Sequence, residues 1–245
     1  MKQGVILTGV VLALLGGAAA AWHLRNNPER NAQRVRELAT WGLGSHLAKA
    51  FPGQRVLVFS NPFTQHEGTA KAILQTEAAG VRGLRRGLGP QKAVAAVVFP
   101  ELQPQALDNP RALFIDRETT TPLSFLVAPG AFDKALKEHP DCSLAVSLIG
   151  LPVDLGRVEC WGSPGPPRFA LLLPDLSLLG GGAAVEGALR CGKLAAFVLG
   201  KPGAPGSEAP VGRDLQREFD RHFVLVTPEN FELVRRTYPG LFPRG

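Results

Sequence analysis

The chain has 245 residues, 45% of them hydrophobic and 20% charged, which are globular proportions and enough for one α/β domain with a real core; disorder over most of the length is excluded. Its formal charge of +6 rests on Arg25, Arg30, Arg34 and Arg36 behind an apolar N-terminus and on one short cluster, Arg82, Arg85 and Arg86. Aromatic residues are not interleaved with these arginines, so the charge speaks to solubility and weak association, and no specific nucleic-acid partner is expected.

Residues 1–24 form a targeting segment. Lys2 and the α-amino group precede an apolar run from Val5 to Leu15, and Gly and Ala then continue to Trp22. Small residues around Ala18 to Ala21 fit the cleavage site of a secretory signal peptide. Left uncleaved, Val5 to Trp22 is 18 residues, near the shortest transmembrane helix, with Trp22 at the interface. The segment is therefore a signal peptide or a membrane anchor. A lipoprotein anchor is excluded, because Cys142, Cys160 and Cys191 all lie far downstream. The four arginines that follow the apolar run oppose export by the positive-inside rule. On balance the chain is expected at the membrane or exported, with the extracytoplasmic side favoured.

Residues 25–54 carry Val35, Leu38, Ala39, Leu43, Leu47 and Ala50 at helical spacing, and the helix should stop at Pro52 and Gly53. This amphipathic helix either forms a stalk or packs on residues 55–245, which read as a single α/β domain. There the chain alternates. Strands are expected at "RVLVFS" (55–60), "KAVAAVVF" (92–99), "ALFID" (112–116), "SLAVSLIG" (143–150), "RFALLLP" (168–174), "KLAAFVLG" (193–200) and "FVLV" (223–226). Helices are expected from Thr64 to about Leu84, at "AFDKALKEHP", "AAVEGALRCG" and "DLQREFDRHF", and at the end with Thr227 as cap and Pro228 in the first turn. Apolar strands separated by helices indicate a Rossmann-like, mostly parallel sheet with helices on both faces, preceded by an N-terminal hydrophobic helix.

The turn after the first strand carries two readings. Thr64-Gln65-His66-Glu67 matches the capping box, with Thr64 accepting from the third helical amide and Glu67 reaching back. It also stands where open α/β sheets take ligands, outside the carboxyl end of a strand. Asn61, Thr64, Gln65 and His66 are accordingly candidate ligand-binding residues. Asp154 and Asp175, in turns after later strands, join them, although turn formation alone accounts for both. The low-complexity loop from Gly200 to Gly212 is long enough to serve as a lid, disorder being the alternative.

Catalytic signatures are missing. No G-x-S-x-G, H-E-x-x-H or C-x-x-C occurs, the five histidines have no metal-ligand spacing, and Gly180 to Gly182 fits neither phosphate-binding glycine pattern. No cofactor, metal or catalytic residue is assigned. The three cysteines read most simply as buried thiols, one disulfide with a free thiol being the alternative. His139 and His222 fall at helix ends, where they could meet terminal carbonyls.

Taken in order, "RVLVFSNPFTQHEGTAKAI", "AVVFP", "ALKEHPDCSLAVSLIG" and "GALRCGKLAAFVLG" resemble one lobe of a type-1 periplasmic binding protein. The resemblance covers fragments between Arg55 and Gly200 and implies a Rossmann-like fold. Members of that family hold a ligand between two lobes, and this chain has sequence for one. The expectation is a non-catalytic binding or sensing module for a small polar ligand. The alternatives are an enzyme of unrecognised class, working at the strand carboxyl edge, and a structural envelope or assembly protein.

Overall fold

A computed structural model describes residues 27–89, 94–109, 112–163 and 165–243. The signal or anchor segment, and with it the expected hydrophobic helix, lies outside them. No helix among the described residues is long and apolar enough to cross a membrane.

Helix α1 (Pro28–Ala50) opens on Asn27, whose Oδ1 accepts from the Arg30 amide at 3.0 Å, with Pro28 in the first turn. The chain then runs through β1 (Val56–Phe59), α2 (Lys71–Leu88), β2 (Val94–Val98), α3 (Pro104–Asp108), α4 (Ala131–Glu138) and β3 (Leu144–Ser147). It continues through α5 (Glu159–Gly162), β4 (Arg168–Leu172), α6 (Gly181–Arg190), β5 (Leu194–Gly200), α7 (Leu215–His222), β6 (Phe223–Val226) and α8 (Phe231–Thr237). Six strands form one sheet in the order β2-β1-β3-β4-β5-β6. All neighbours pair in parallel except β6, which runs antiparallel to β5. The mostly parallel, Rossmann-like α/β fold read from the sequence is the fold observed.

Both faces of the sheet are covered. Leu57, Phe59, Phe169, Leu171 and Phe197 pack with α4, α6 and α8 through Phe132, Val185, Leu189, Phe231 and Val234. Val56, Val58, Leu144, Val146, Leu172 and Val198 pack on the other face with Leu38, Leu43 and Leu47 of α1, Leu84 of α2 and Phe219 of α7. Helix α1 thus packs into the core. Its contact with α2 is so close that a Cβ on Gly83 would stand 2.1 Å from the Glu37 carbonyl, and one on Gly87 2.3 Å from that of Trp41.

Local details depart from the sequence expectations in four places. The capping box does not form: Asn61 Oδ1 takes the Phe63 amide (2.9 Å) and caps a 3-10 turn, Pro62–Gln65. Gly68, at φ +81, then breaks the helical path, and the Thr69 hydroxyl donates back to the Phe63 and His66 carbonyls. Helix α2 consequently starts at Lys71, with no side-chain cap on Ala70. Residues 112–116 form no strand, and the Phe114 side chain is exposed. At the C-terminus, Asn230 folds back on the Thr227 amide and the Leu225 carbonyl, so α8 begins at Phe231 rather than behind a Thr227 cap. The helix expected at "AAVEGALRCG" starts two residues earlier: Gly180, left-handed at φ +86, is the N-cap of α6, and Gly181 and Gly182 are its first residues.

Candidate functional site

In a sheet ordered 2-1-3-4-5, connections from β1 and β3 leave toward opposite faces, and their carboxyl ends bracket the topological switch point. Polar side chains fill this place. The Ser60 hydroxyl, following β1, donates to Glu77 Oε2 at 3.0 Å. Arg36 Nη2 donates to Glu77 Oε1 at 2.5 Å and to the Leu148 carbonyl, following β3, at 3.2 Å. Gly80 leaves room for the guanidinium, since a Cβ there would lie 3.1 Å from Arg36 Nε. Beyond β3, the Ser147 hydroxyl donates to the Gly150 carbonyl, and the turn at 121–124 closes over Gly150.

The sequence candidates fall into three separate hydrogen-bonded turns at this edge. Asn61 and Thr64 share one, with the Thr64 hydroxyl donating to the Asn61 carbonyl at 2.6 Å and Gln65 Nε2 reaching the Thr64 hydroxyl at 3.3 Å. His66 closes that turn and is exposed. Asp154 faces Arg157 at 3.3 Å, on the surface. Asp175 accepts from the Thr119 hydroxyl at 2.6 Å and from the Ser177 amide at 3.0 Å. Burial pushes its carboxyl up, but the hydrogen bonds from Ser177 and Thr119 outweigh that and hold it below the usual range. These groupings bring Asn61, Thr64, Gln65 and His66 together, and leave Asp154 and Asp175 each with other partners.

A half-open cavity of about 260 Å³ lies one step along the same edge, at the carboxyl ends of β4 and β5. Leu172 and Leu173 form part of its floor, Val35, Arg36 and Ala39 of α1 one wall, and His222 and Phe223 the opposite wall. Ala204, Pro205 and Ser207, from the long loop after β5, cover it. The loop is tied down over α1 by Asn31 Nδ2, which donates to the Glu208 carbonyl at 2.9 Å. Leu173 holds a left-handed backbone, φ +46, which a branched side chain adopts only under strain.

Two nitrogens of the cavity's own residues, Arg36 Nε and His222 Nε2, are buried without a hydrogen-bond partner. His222 is 2% exposed, and its nearest acid, Glu218 Oε2, is 3.7 Å away, beyond hydrogen-bonding distance. Burial pushes the imidazole below its ordinary pKa, Glu218 raising it in part and Arg221 lowering it further. The expectation that His222 meets helix-terminal carbonyls is not met. The sequence shows the position of His222 at a helix end but not its burial, and shows Arg36 only as charge behind the apolar segment. The signal for both was their spacing to the apolar stripe of their helices.

Nucleophilic and metal chemistry find no such convergence. All three cysteines are free; burial, helped by a hydrogen bond with Asp133, pushes the Cys160 thiol up to about 12. Among the described residues no group of three His, Cys, Asp or Glu side chains could hold a metal ion.

No protein-family model matches the chain, and no curated protein matches it. Among solved structures, a carbohydrate transporter from Acidothermus cellulolyticus in complex with myo-inositol is 13% identical, matching 84% of this chain and 62% of its own with a TM-score of 0.46. A sugar-binding protein of a sugar ABC transporter from Bacillus halodurans is also 13% identical, over 81% of this chain and 64% of its own, with a TM-score of 0.44. A periplasmic ribose ABC transporter from Conexibacter woesei gives 11% identity, 82% and 60% coverage and a TM-score of 0.44. The chain spans about three fifths of the length of these structures. The Rossmann-like sheet that the sequence resemblance implied is seen in the strand order of the chain itself.

Proposed function

We propose that the chain is a non-catalytic binding module that takes a small molecule into the cavity at the carboxyl ends of β4 and β5, under the loop that follows β5. One observation carries this reading: a half-open, mostly apolar cavity at the carboxyl edge of the sheet has two polar residues, Arg36 and His222, in its lining, and the loop after β5 contributes Ala204, Pro205 and Ser207 to it. An apolar lining with a few polar groups is the usual form of a small-molecule site. Its volume suits a compact molecule with an apolar body and a polar head. Asn61, Thr64, Gln65, His66, Asp154 and Asp175 lie in turns of the same edge, where in this reading they shape the rim. Delivery to the membrane or beyond it, with the extracytoplasmic side favoured, belongs to the same proposal and rests on the sequence of residues 1–24.

Thermal unfolding in the presence of monosaccharides and short-chain hydroxy acids tests it, because a ligand that binds only the folded state raises Tm with concentration. At least one of these classes should raise Tm, and Ala32→Phe, which fills the cavity from α1, should keep the fold and lose the shift. A shift unchanged in Ala32→Phe, or no shift with any member of the panel, would overturn the site.

A further inference from the structure

A second concavity, on the helical face and sharing no lining residue with the first, has a different chemistry. It is a groove of about 690 Å³ between α1, the C-terminal half of α2 and the segment 210–215 that leads into α7. Arg34, Leu38 and Trp41, spaced four and three residues apart on α1, present one helical face to it. Arg86 enters from α2 and Arg213 from the loop, while Val211 and Leu215 add apolar surface.

Seven of the sixteen described arginines, Arg36, Arg55, Arg82, Arg157, Arg190, Arg221 and Arg235, face a carboxylate, and the three of the groove are not among them. Arg34, Arg86 and Arg213 are exposed and have no ion-pair partner among the described residues. The groove's one acid, Glu37, is already engaged by Arg82 at 3.5 Å, and neighbouring Asp214 is occupied in capping α7 through the Arg217 amide. Three elements therefore bring uncompensated guanidinium groups to one groove beside a half-buried indole.

We infer that this groove binds a phosphorylated aromatic small molecule of nucleotide size, with its phosphates among Arg34, Arg86 and Arg213 and its ring against Trp41. Guanidinium groups hold phosphate oxygens through paired, charge-assisted hydrogen bonds, which recruits a multiply charged anion where a neutral one gains little. An indole offers a flat, weakly solvated face to a planar ring, and the volume lies within the range of small-molecule sites. Sugar recognition in the β4–β5 cavity would use none of these residues, so the two assignments stand or fall separately.

Titration calorimetry on the full chain in EDTA tests the inference, with ATP, adenosine, tripolyphosphate and phosphatidylglycerol vesicles as probes. ATP should bind saturably, and adenosine and tripolyphosphate each at least about tenfold more weakly, since each lacks half of the recognition. Arg34→Gln, Arg86→Gln and Arg213→Gln should each weaken ATP roughly tenfold or more, with unchanged far-UV circular dichroism. Trp41→Ala should weaken ATP by a similar factor and leave tripolyphosphate unaffected. Gln variants that bind ATP like the wild type, tripolyphosphate binding as tightly as ATP, or no saturation at millimolar ATP would each overturn it. Binding to the vesicles that ATP does not compete would overturn it too, by assigning the arginines to an anionic membrane surface. Ala32→Phe should leave ATP binding intact, which separates failure here from failure of the other site.

Discussion

Arg36 of α1 and Glu77 of α2 form an ion pair 2.5 Å long, and the same guanidinium nitrogen also holds the Leu148 carbonyl at the end of β3. Their side chains are only 20% and 11% exposed, and the second Glu77 oxygen takes the Ser60 hydroxyl after β1. One pair therefore links two helices to the ends of the neighbouring strands β1 and β3. Removing either partner leaves the other largely buried and uncompensated. Glu77→Ala is expected to lower the free energy of unfolding by about 3 kcal/mol, the low end for breaking a buried pair because some solvent reaches this one. The double variant Arg36→Met, Glu77→Leu should recover most of that loss. Urea unfolding of the three variants decides it, and a double variant no better than Glu77→Ala would show that the pair is not the source of the loss.

Helices α1 and α2 approach through glycine, and the space there is already full. A methyl on Gly83 would press into the Glu37 carbonyl, which is backbone and cannot rotate away. Gly83→Ala is therefore expected to cost about 3 kcal/mol, although alanine is the better helix former. Gly187 supplies the control, since it sits in α6 with no atom within 4 Å of a Cβ. Gly187→Ala should stabilise the protein by about 1 kcal/mol. Opposite signs in the two variants, read from denaturant midpoints, check the packing.

Thiol reactivity separates the cysteines. Cys191 is exposed, Cys142 is buried and Cys160 is pushed up to about 12 by burial and by its contact with Asp133. Only thiolate reacts with a disulfide reagent, so at pH 8 one thiol should react fast and two slowly. Cys191→Ser should abolish the fast phase. A fast phase that survives would show that Cys142 or Cys160 is more accessible than its burial implies.

The sheet and its helices were legible because they depend on patterns that local sequence carries: β-branched apolar runs such as Val56 to Phe59, and the three- and four-residue spacings among Val35, Leu38, Ala39, Leu43 and Leu47. Helix starts were less so. Thr64 to Glu67 has the residues of a capping box, but Asn61, three residues earlier, captures the Phe63 amide and makes a tighter turn first. Asn230 overrides Thr227 in the same way, by folding back on its amide. The cavity was the least legible feature. Arg36, Leu173 and His222 lie in three distant segments, and only the packing of α1 across the carboxyl edge brings them together. The groove arginines were visible only as surplus charge, because unpaired status is a property of the fold and not of the sequence.

The buried imidazole of His222 gives the pH dependence a definite sign. Burial lowers its folded pKa below the ordinary 6.5, so at neutral pH the ring is uncharged whether the chain is folded or not. As pH falls below 6.5, the unfolded chain takes up a proton that the folded one refuses, and stability is lost until the folded value is reached. His46 behaves alike, lowered by burial and by Lys49 against the pull of Glu229. The groups that bear on His222 are Glu218 and Arg221 on its own helix and Arg36 across the cavity. Between pH 7 and 5.5 the unfolding free energy should therefore fall, by no more than about 1.4 kcal/mol per pH unit from His222. His222→Asn should flatten that slope, and His46→Asn should remove part of what remains. An anionic ligand held in the cavity would favour the protonated ring, so it should bind more tightly as the pH falls, and a neutral one should not. Urea titrations at pH 5.5 and 7 read the first effect; a slope equal in wild type and His222→Asn would mean that the imidazole is not the titrating group.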